Sequence, residues 1–209
     1  MRYDALIWDF DGTLLDTYPP MSRDLQQTMA DLGVTLPLEE LLARFQISRG
    51  EVLAYCARQS GLTAEAVDRA YRDDVARRGH PAAETFPHVR DILSRFQAAG
   101  GRSFLFTHRS ESVHLYLQKA GLTRYFTDVV SSGTVFARKP DPAGNLYLAE
   151  THGLDPARML AVGDRELDVL AGKRAGMDAC LFRGKGAPTA ADYQIRDMAE
   201  LAGLIGLPD

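Results

Sequence analysis

The chain has 209 residues, 45% of them hydrophobic and 25% charged, with a formal net charge of −4. That length builds one good-sized core, or a core with a small appended module, and the charged fraction is ordinary for a folded protein. The acidic balance, without a long run of Lys or Arg, argues against nucleic acid or an anionic membrane as the main partner.

In chain order, the opening MRYDALIWDF mixes acids with apolar residues where a secretory leader needs a longer clean run. Within it, Ala5-Leu6-Ile7-Trp8 is a short continuous apolar run that stops at Asp9-Phe10-Asp11-Gly12. A strand buried on both faces of a parallel sheet reads this way. Residues from about Pro19 to His80 carry only helical spacing. Met21, Leu25, Met29 and Leu32 form one stripe, Val52, Leu53, Cys56 and Ala57 a second, and Ala66, Val67, Ala70 and Tyr71 a third. Pro19-Pro20 and Pro81 to Pro87 bracket this region as hinges or linkers would. Beyond it the apolar runs return. Ser103 to Phe106 stops at Thr107-His108-Arg109, Met159 to Val162 at Gly163-Asp164, and Ala179 to Phe182 at Arg183-Gly184. Helical stripes lie near them, such as Val89, Ile92, Leu93 and Phe96, then Leu167, Leu170 and Ala171. Strand alternating with helix predicts an α/β fold, a doubly wound Rossmann-like parallel sheet with an inserted all-helical segment. No apolar stretch approaches the roughly 20 residues that span a bilayer. Cys56 and Cys180 lack metal spacing and read as reduced cytoplasmic thiols.

Chemistry-bearing residues cluster where the runs stop. In Asp9-Phe10-Asp11-Gly12-Thr13 a turn at Gly12 can aim two carboxylates at one point, which suits a hard cation or a nucleophile beside an acid/base. An ordinary Asp-Gly turn has the same composition. Thr107, ahead of a helix expected over Ser110 to Ala120, provides either an anion site or a plain cap. Lys139-Pro140, after the loop Ser131 to Arg138, presents an ammonium from a turn; most such lysines are solvated. Gly163-Asp164, with Asp168 one helical turn on, is either another acidic strand end or a helix cap with an acidic first turn.

Taken together and in order, Asp9-x-Asp11-Gly12-Thr13, Thr107, Lys139 and Gly163-Asp164-x-x-x-Asp168 resemble the four signature motifs of the haloacid dehalogenase superfamily. The match runs from Tyr3 to about Phe182, and the helical insertion looks like the cap of the phosphoglycolate phosphatase-like and β-phosphoglucomutase-like branches. This resemblance implies a core of residues 1–16 and 83–209 and a cap of residues 17–82. It also implies a Mg²⁺-dependent phosphatase of a small phosphomonoester metabolite. Asp9 would be the nucleophile that becomes an aspartyl-phosphate, and Asp11 the acid and base. Thr107 and Lys139 would serve the transferring group, and Asp9, the Asp11 carbonyl and Asp164 would hold the metal. Gly12 and Thr13 would support the turn. Asp168 would orient Lys139 or a metal-bound water.

Departures from the pattern narrow the choice. Asp11 is present, unlike in the carbon–halogen branch, and no Lys lies between Pro19 and Pro87, which disfavours a Schiff-base phosphonate chemistry. His108 and Arg109 stand where relatives often carry smaller polar groups. Arg109 either clamps a second anionic group or is an exposed arginine at a helix start, and His108 carries the same ambiguity. In the insertion, Arg49 either reads a substrate carboxylate or second phosphate, or simply follows Ser48 acting as a helix cap. A sugar phosphomutase of the same superfamily and a non-catalytic binding or regulatory protein keeping the fold are the alternatives. Partners are expected to be small phosphorylated metabolites rather than nucleic acid or membrane, acting on a monomer or small homo-oligomer.

Overall fold

The apolar runs pair side by side. A computed structural model describes residues 1–183 and 188–207. Gly184, where the last run stops, and the end of the 83–209 segment lie outside these residues. Among the described residues the strands are β1 (Ala5–Trp8), β2 (Arg102–Phe106), β3 (Phe126–Val130), β4 (Met159–Gly163), β5 (Asp178–Phe182) and β6 (Tyr193–Ile195). They form one sheet in the order β3-β2-β1-β4-β5-β6, and every pairing is parallel. This is the Rossmann-like, doubly wound arrangement expected from the runs.

Helices α1 (Tyr18–Asp31), α2 (Leu38–Ile47), α3 (Arg49–Ser60) and α4 (Ala64–Arg78) follow β1. Then come α5 (Val89–Ala98), α6 (Ser112–Lys119), α7 (Ala143–Thr151), α8 (Glu166–Arg174) and α9 (Ala199–Ile205). The chain separates into two compact units, Met1–Leu15 with Glu84–Asp209, and Asp16–Ala83.

In the sheet unit, Ile7, Phe104, Phe106 and Val130 pack with Leu148 of α7. Strands alternate their side chains, so Leu6 and Trp8 face the opposite side, and both are fully buried. At about 25 cal/mol per Å², each such side chain contributes roughly 1.5–3 kcal/mol. Burial also raises the Cys180 thiol to about 12, which keeps it inert.

The helical unit closes on its own apolar stripes: Leu25, Met29, Leu41, Phe45, Val52, Cys56, Val67 and Tyr71. Ser48 caps α3 by accepting the Glu51 N–H, and Thr63 caps α4 by accepting the Ala66 N–H. Pro19 and Pro20, expected as a hinge, instead lie in the first turn of α1, where a missing N–H leaves no helical bond unmade. The helix expected over Ser110 to Ala120 is the shorter α6. No helix of the described residues is long and apolar enough to cross a membrane.

Candidate active site

In the order β3-β2-β1-β4-β5-β6 the chain direction of winding reverses between β1 and β4. Loops leave these two neighbours toward opposite faces, opening a crevice at their carboxyl ends. Asp9 follows β1, Asp164 follows β4 and Thr107 follows β2, so sheet topology alone gathers residues far apart in sequence. The Asp9 N–H bonds the Val162 carbonyl at 2.8 Å, extending the β1–β4 pairing into the site.

A buried cation lies at the centre. Lys139 donates from Nζ to Asp9 Oδ1 at 2.7 Å and to Asp168 Oδ1 at 2.5 Å, and all three residues are at most 7% exposed. Burial works against the Lys139 charge, but Asp168 and Asp9 outweigh it and raise the ammonium above its ordinary value. Burial, then the neighbouring Asp168 carboxylate, push Asp9 up to about 6 against the opposing pull of Lys139 and Arg165. Asp168 is fixed further because its Oδ2 accepts the Arg165 N–H at 3.1 Å. Gly163 makes room for this packing. A Cβ there would sit 2.3 Å from the Asp168 Cβ, a clash that only glycine avoids.

A hard cation fits beside this chain. Carboxylate oxygens of Asp9, Asp164 and Asp168 lie within 4.8 Å of one another, and Asp9 Oδ2 is buried with no hydrogen-bond partner among the described residues. An all-oxygen donor set suits Mg²⁺. Asp168 is already engaged by Lys139 and the Arg165 N–H, which leaves Asp9 and Asp164 as the better side-chain ligands. The Asp11 side chain is turned elsewhere, to Arg109. Arg165, which the motif left as an unassigned position, was missed in the sequence. Its guanidinium lies 4.0 Å from Asp9 Oδ2 and 3.7 Å from Asp164 Oδ1. A basic residue directly after the strand-end acid was the available signal.

The loop after β2 braces the rest. Thr107 Oγ1 accepts the Arg109 N–H at 3.1 Å, so its own hydroxyl proton can point elsewhere. His108 Nε2 accepts the Lys139 N–H at 2.8 Å. Burial, then the charges of Lys139, Arg138 and Arg165, lower this imidazole to about 3, so it stays neutral and acts as an acceptor. Arg109 is not an exposed helix-start residue, since its side chain is 10% exposed and paired with Asp11. Gly12 adopts φ 79, the conformation the turn after Asp11 requires, and Thr13 is fully buried beside it. In the helical unit, Arg49 donates from Nε to Asp68 Oδ1 at 3.0 Å and lies 5.3 Å over the Tyr71 ring.

Comparison with known proteins gives the same picture. The model of the haloacid dehalogenase-like hydrolase family matches residues 6–182. A phosphoglycolate phosphatase of Vibrio vulnificus is 32% identical over 220 residues, covering 96% of this chain and 95% of that protein. One from Vibrio parahaemolyticus is 31% identical over 181 residues, covering 82% of this chain and 79% of its own. A solved hydrolase structure from Streptococcus pneumoniae is 31% identical, with a TM-score of 0.70, and covers 99% of this chain and 100% of that one.

Proposed function

The chain belongs to the haloacid dehalogenase-like hydrolases and is a phosphatase of that family, and we propose that it hydrolyses a small phosphomonoester by passing the phosphoryl group through Asp9. The observation that carries this reading is the buried Asp9–Lys139–Asp168 chain, with Asp9 Oδ2 accepting no hydrogen bond among the described residues. A carboxylate oxygen kept inside the protein and not committed to a hydrogen bond suits a nucleophile.

In the proposed reaction a carboxylate oxygen of Asp9 attacks phosphorus, the bond from phosphorus to the ester oxygen breaks, and Asp11 gives that oxygen its proton. Water then attacks the acyl phosphate and gives a proton to Asp11. The bond from phosphorus to Asp9 breaks, so phosphate leaves and both acids are restored. Two like unit charges about 4 Å apart cost about 4 kcal/mol at an effective dielectric of about 20. Unopposed, that repulsion between Asp9 and a phosphate dianion would slow attack about 1000-fold, which gives the Lys139 ammonium its role. The Thr107 hydroxyl donates to the transferring group. Asp9, Asp164 and the Asp11 main-chain carbonyl would hold Mg²⁺, whose chemistry there is to neutralise the phosphate dianion. The reading sets the enzyme in the cytoplasm, consistent with two buried free thiols.

Phosphoglycolate, named in the relatives, is the first compound to assay within a panel of phosphorylated metabolites. Rapid acid quench with a ³²P-labelled substrate is expected to trap label on the wild type and none on Asp9→Asn, which folds but does not turn over. EDTA should abolish activity reversibly, and added Mg²⁺ should raise the melting temperature. An Asp9→Asn protein with wild-type kcat would end this reading.

A further inference from the structure

His108, which sequence reading left between substrate contact and an exposed loop, is engaged inside the site. Its Nε2 accepts the Lys139 N–H at 2.8 Å. Lys139 is 7% exposed, so its main-chain donor needs an acceptor from the protein, and the imidazole supplies it. One residue on, the Pro140 carbonyl accepts from an Arg174 terminal nitrogen at 2.9 Å. The main chain is thus gripped on both sides of the residue that carries the ammonium. Phe106 touches both of Lys139's polar ends. Its ring meets the His108 ring edge-on, with centroids 6.5 Å apart at 78°, and lies 5.1 Å from Lys139 Nζ. A Cβ at Gly144 would come within 2.7 Å of that ring, so glycine there lets Phe106 pack against α7. The far end of the loop before Lys139 is tied to the same turn as His108. The Ser132 N–H bonds the Arg109 carbonyl at 2.9 Å, and the Ser131 hydroxyl donates to Glu111. Residues 131 to 139 are therefore clamped at both ends to the turn that carries Thr107.

We propose that His108 is a positioning residue: by accepting the Lys139 N–H it fixes the main chain from which the ammonium reaches Asp9, and holds it in register with Thr107. This rests on the reading of Lys139 as the cation that opposes repulsion at Asp9. The ammonium sits on a flexible stem, and in this structure Asp9 and Asp168 hold its tip. During the proposed turnover Asp9 becomes an acyl phosphate and ceases to be a carboxylate partner. Part of the hold on the tip is then lost, while the grip on the main chain remains. A misplacement of about 1 Å at a reacting centre can cost about 100-fold, so the anchor should register in kcat.

The test is kcat for the best phosphomonoester, taken per folded molecule with thermal unfolding of each variant alongside. His108→Leu removes the acceptor and is expected to lose about 30-fold. His108→Gln places an amide oxygen at the reach of Nε2 and should return kcat to within about fivefold of wild type. His108→Asn, whose amide stops at the reach of Nδ1, should resemble His108→Leu. A bond that only stabilised the fold would leave all three at the wild-type kcat, and the Gln and Asn variants serve if His108→Leu fails to fold. In a Lys139→Met background, adding His108→Asn should cost less than about twofold, because its effect runs through the ammonium. Equal kcat in His108→Gln and His108→Asn, or a full additional loss on top of Lys139→Met, would overturn the proposal. Lys139→Met separates the two levels. A low kcat there with wild-type kcat in His108→Leu and His108→Asn rejects the positioning role alone, and an undiminished kcat in Lys139→Met rejects the cationic role of Lys139 itself.

Discussion

The buried ion pairs at the centre of the sheet unit contrast with the surface ion pairs of the helical unit. In the first, Asp9, Lys139 and Asp168 form a continuous charged chain in which no residue is more than 7% exposed. In the second, Arg49 meets Asp68 and Arg78 meets Asp31 at the surface, and the unit closes around aliphatic and aromatic side chains. Desolvating two carboxylates and an ammonium costs several kcal/mol per ion, which mutual attraction repays only with good geometry. A protein seeking stability alone does better with the second arrangement. The first is therefore evidence of chemistry, and the contrast predicts how substitutions differ between the units.

The largest effect is expected at the buried chain. Lys139→Met keeps an apolar stem of similar length but removes the ammonium that bridges Asp9 and Asp168. Breaking a buried pair costs about 3–5 kcal/mol, and the proposed chemistry should fall at least about 1000-fold. Urea unfolding and kcat/KM should both register it. A stable, active Lys139→Met would make the chain a surface-like pair in disguise and dissolve the contrast.

One residue of the helical unit tests the contrast from the other side. Asp74, 6% exposed, accepts from Thr28 Oγ1 at 2.7 Å and pairs with Arg77 and with Arg78 at 3.4 Å. Asp74→Ala strands these donors, and about 1–3 kcal/mol of stability should go while kcat stays within about twofold. The Thr28 hydrogen bond, then the arginines, hold this carboxyl below its ordinary value. A lowered folded value means that the acid's stabilisation is present above about pH 4 and is lost as pH falls through the folded value. The gap between wild type and Asp74→Ala should thus close on acidification. A gap that persists at pH 2 would show that packing, not charge, was lost.

The sequence revealed the sheet unit unevenly, and burial explains where. Strands β1, β2, β4 and β5 read as unbroken apolar runs because both their faces are covered. Strands β3 and β6 went unseen. They are the two edges of the sheet, only one residue of each is buried, and Phe126-Thr127-Asp128 or Tyr193-Gln194 gives no run to notice. Asp9, Thr107 and Asp164 were nameable because strand ends are one-dimensional features, and Lys139 and Asp168 because of their order and spacing relative to them. Side-chain direction is not. Nothing in the spacing says that His108 accepts from the Lys139 backbone, that Arg109 turns back to Asp11, or that Arg165 lies against Asp9. The prolines misled for a related reason: a proline pair is punctuation in a loop and equally at home in a helix's first turn.

The smallest effect is expected at Arg49. Its side chain is 40% exposed, its partner Asp68 is also bonded by Arg72, and the pair lies beside Tyr71 rather than inside the unit's core. Exposed pairs of this kind contribute about 0.2–1 kcal/mol, so Arg49→Ala should lower the melting temperature by no more than a few degrees. Sequence reading left a second role open, contact with an anionic substrate group, and the pairing with Asp68 bears on it directly. A guanidinium already held by one carboxylate must exchange that partner before it can read another. The measurement is KM for the best substrate against KM for p-nitrophenyl phosphate in Arg49→Ala and in Asp68→Asn. If Arg49 serves the helical unit alone, both variants leave the KM ratio unchanged. If it reads substrate, Arg49→Ala raises KM selectively while Asp68→Asn, by releasing the guanidinium, lowers it. The second result would make the ion pairs of the helical unit competitors for substrate, and the contrast between the units would then lie in exposure rather than in purpose.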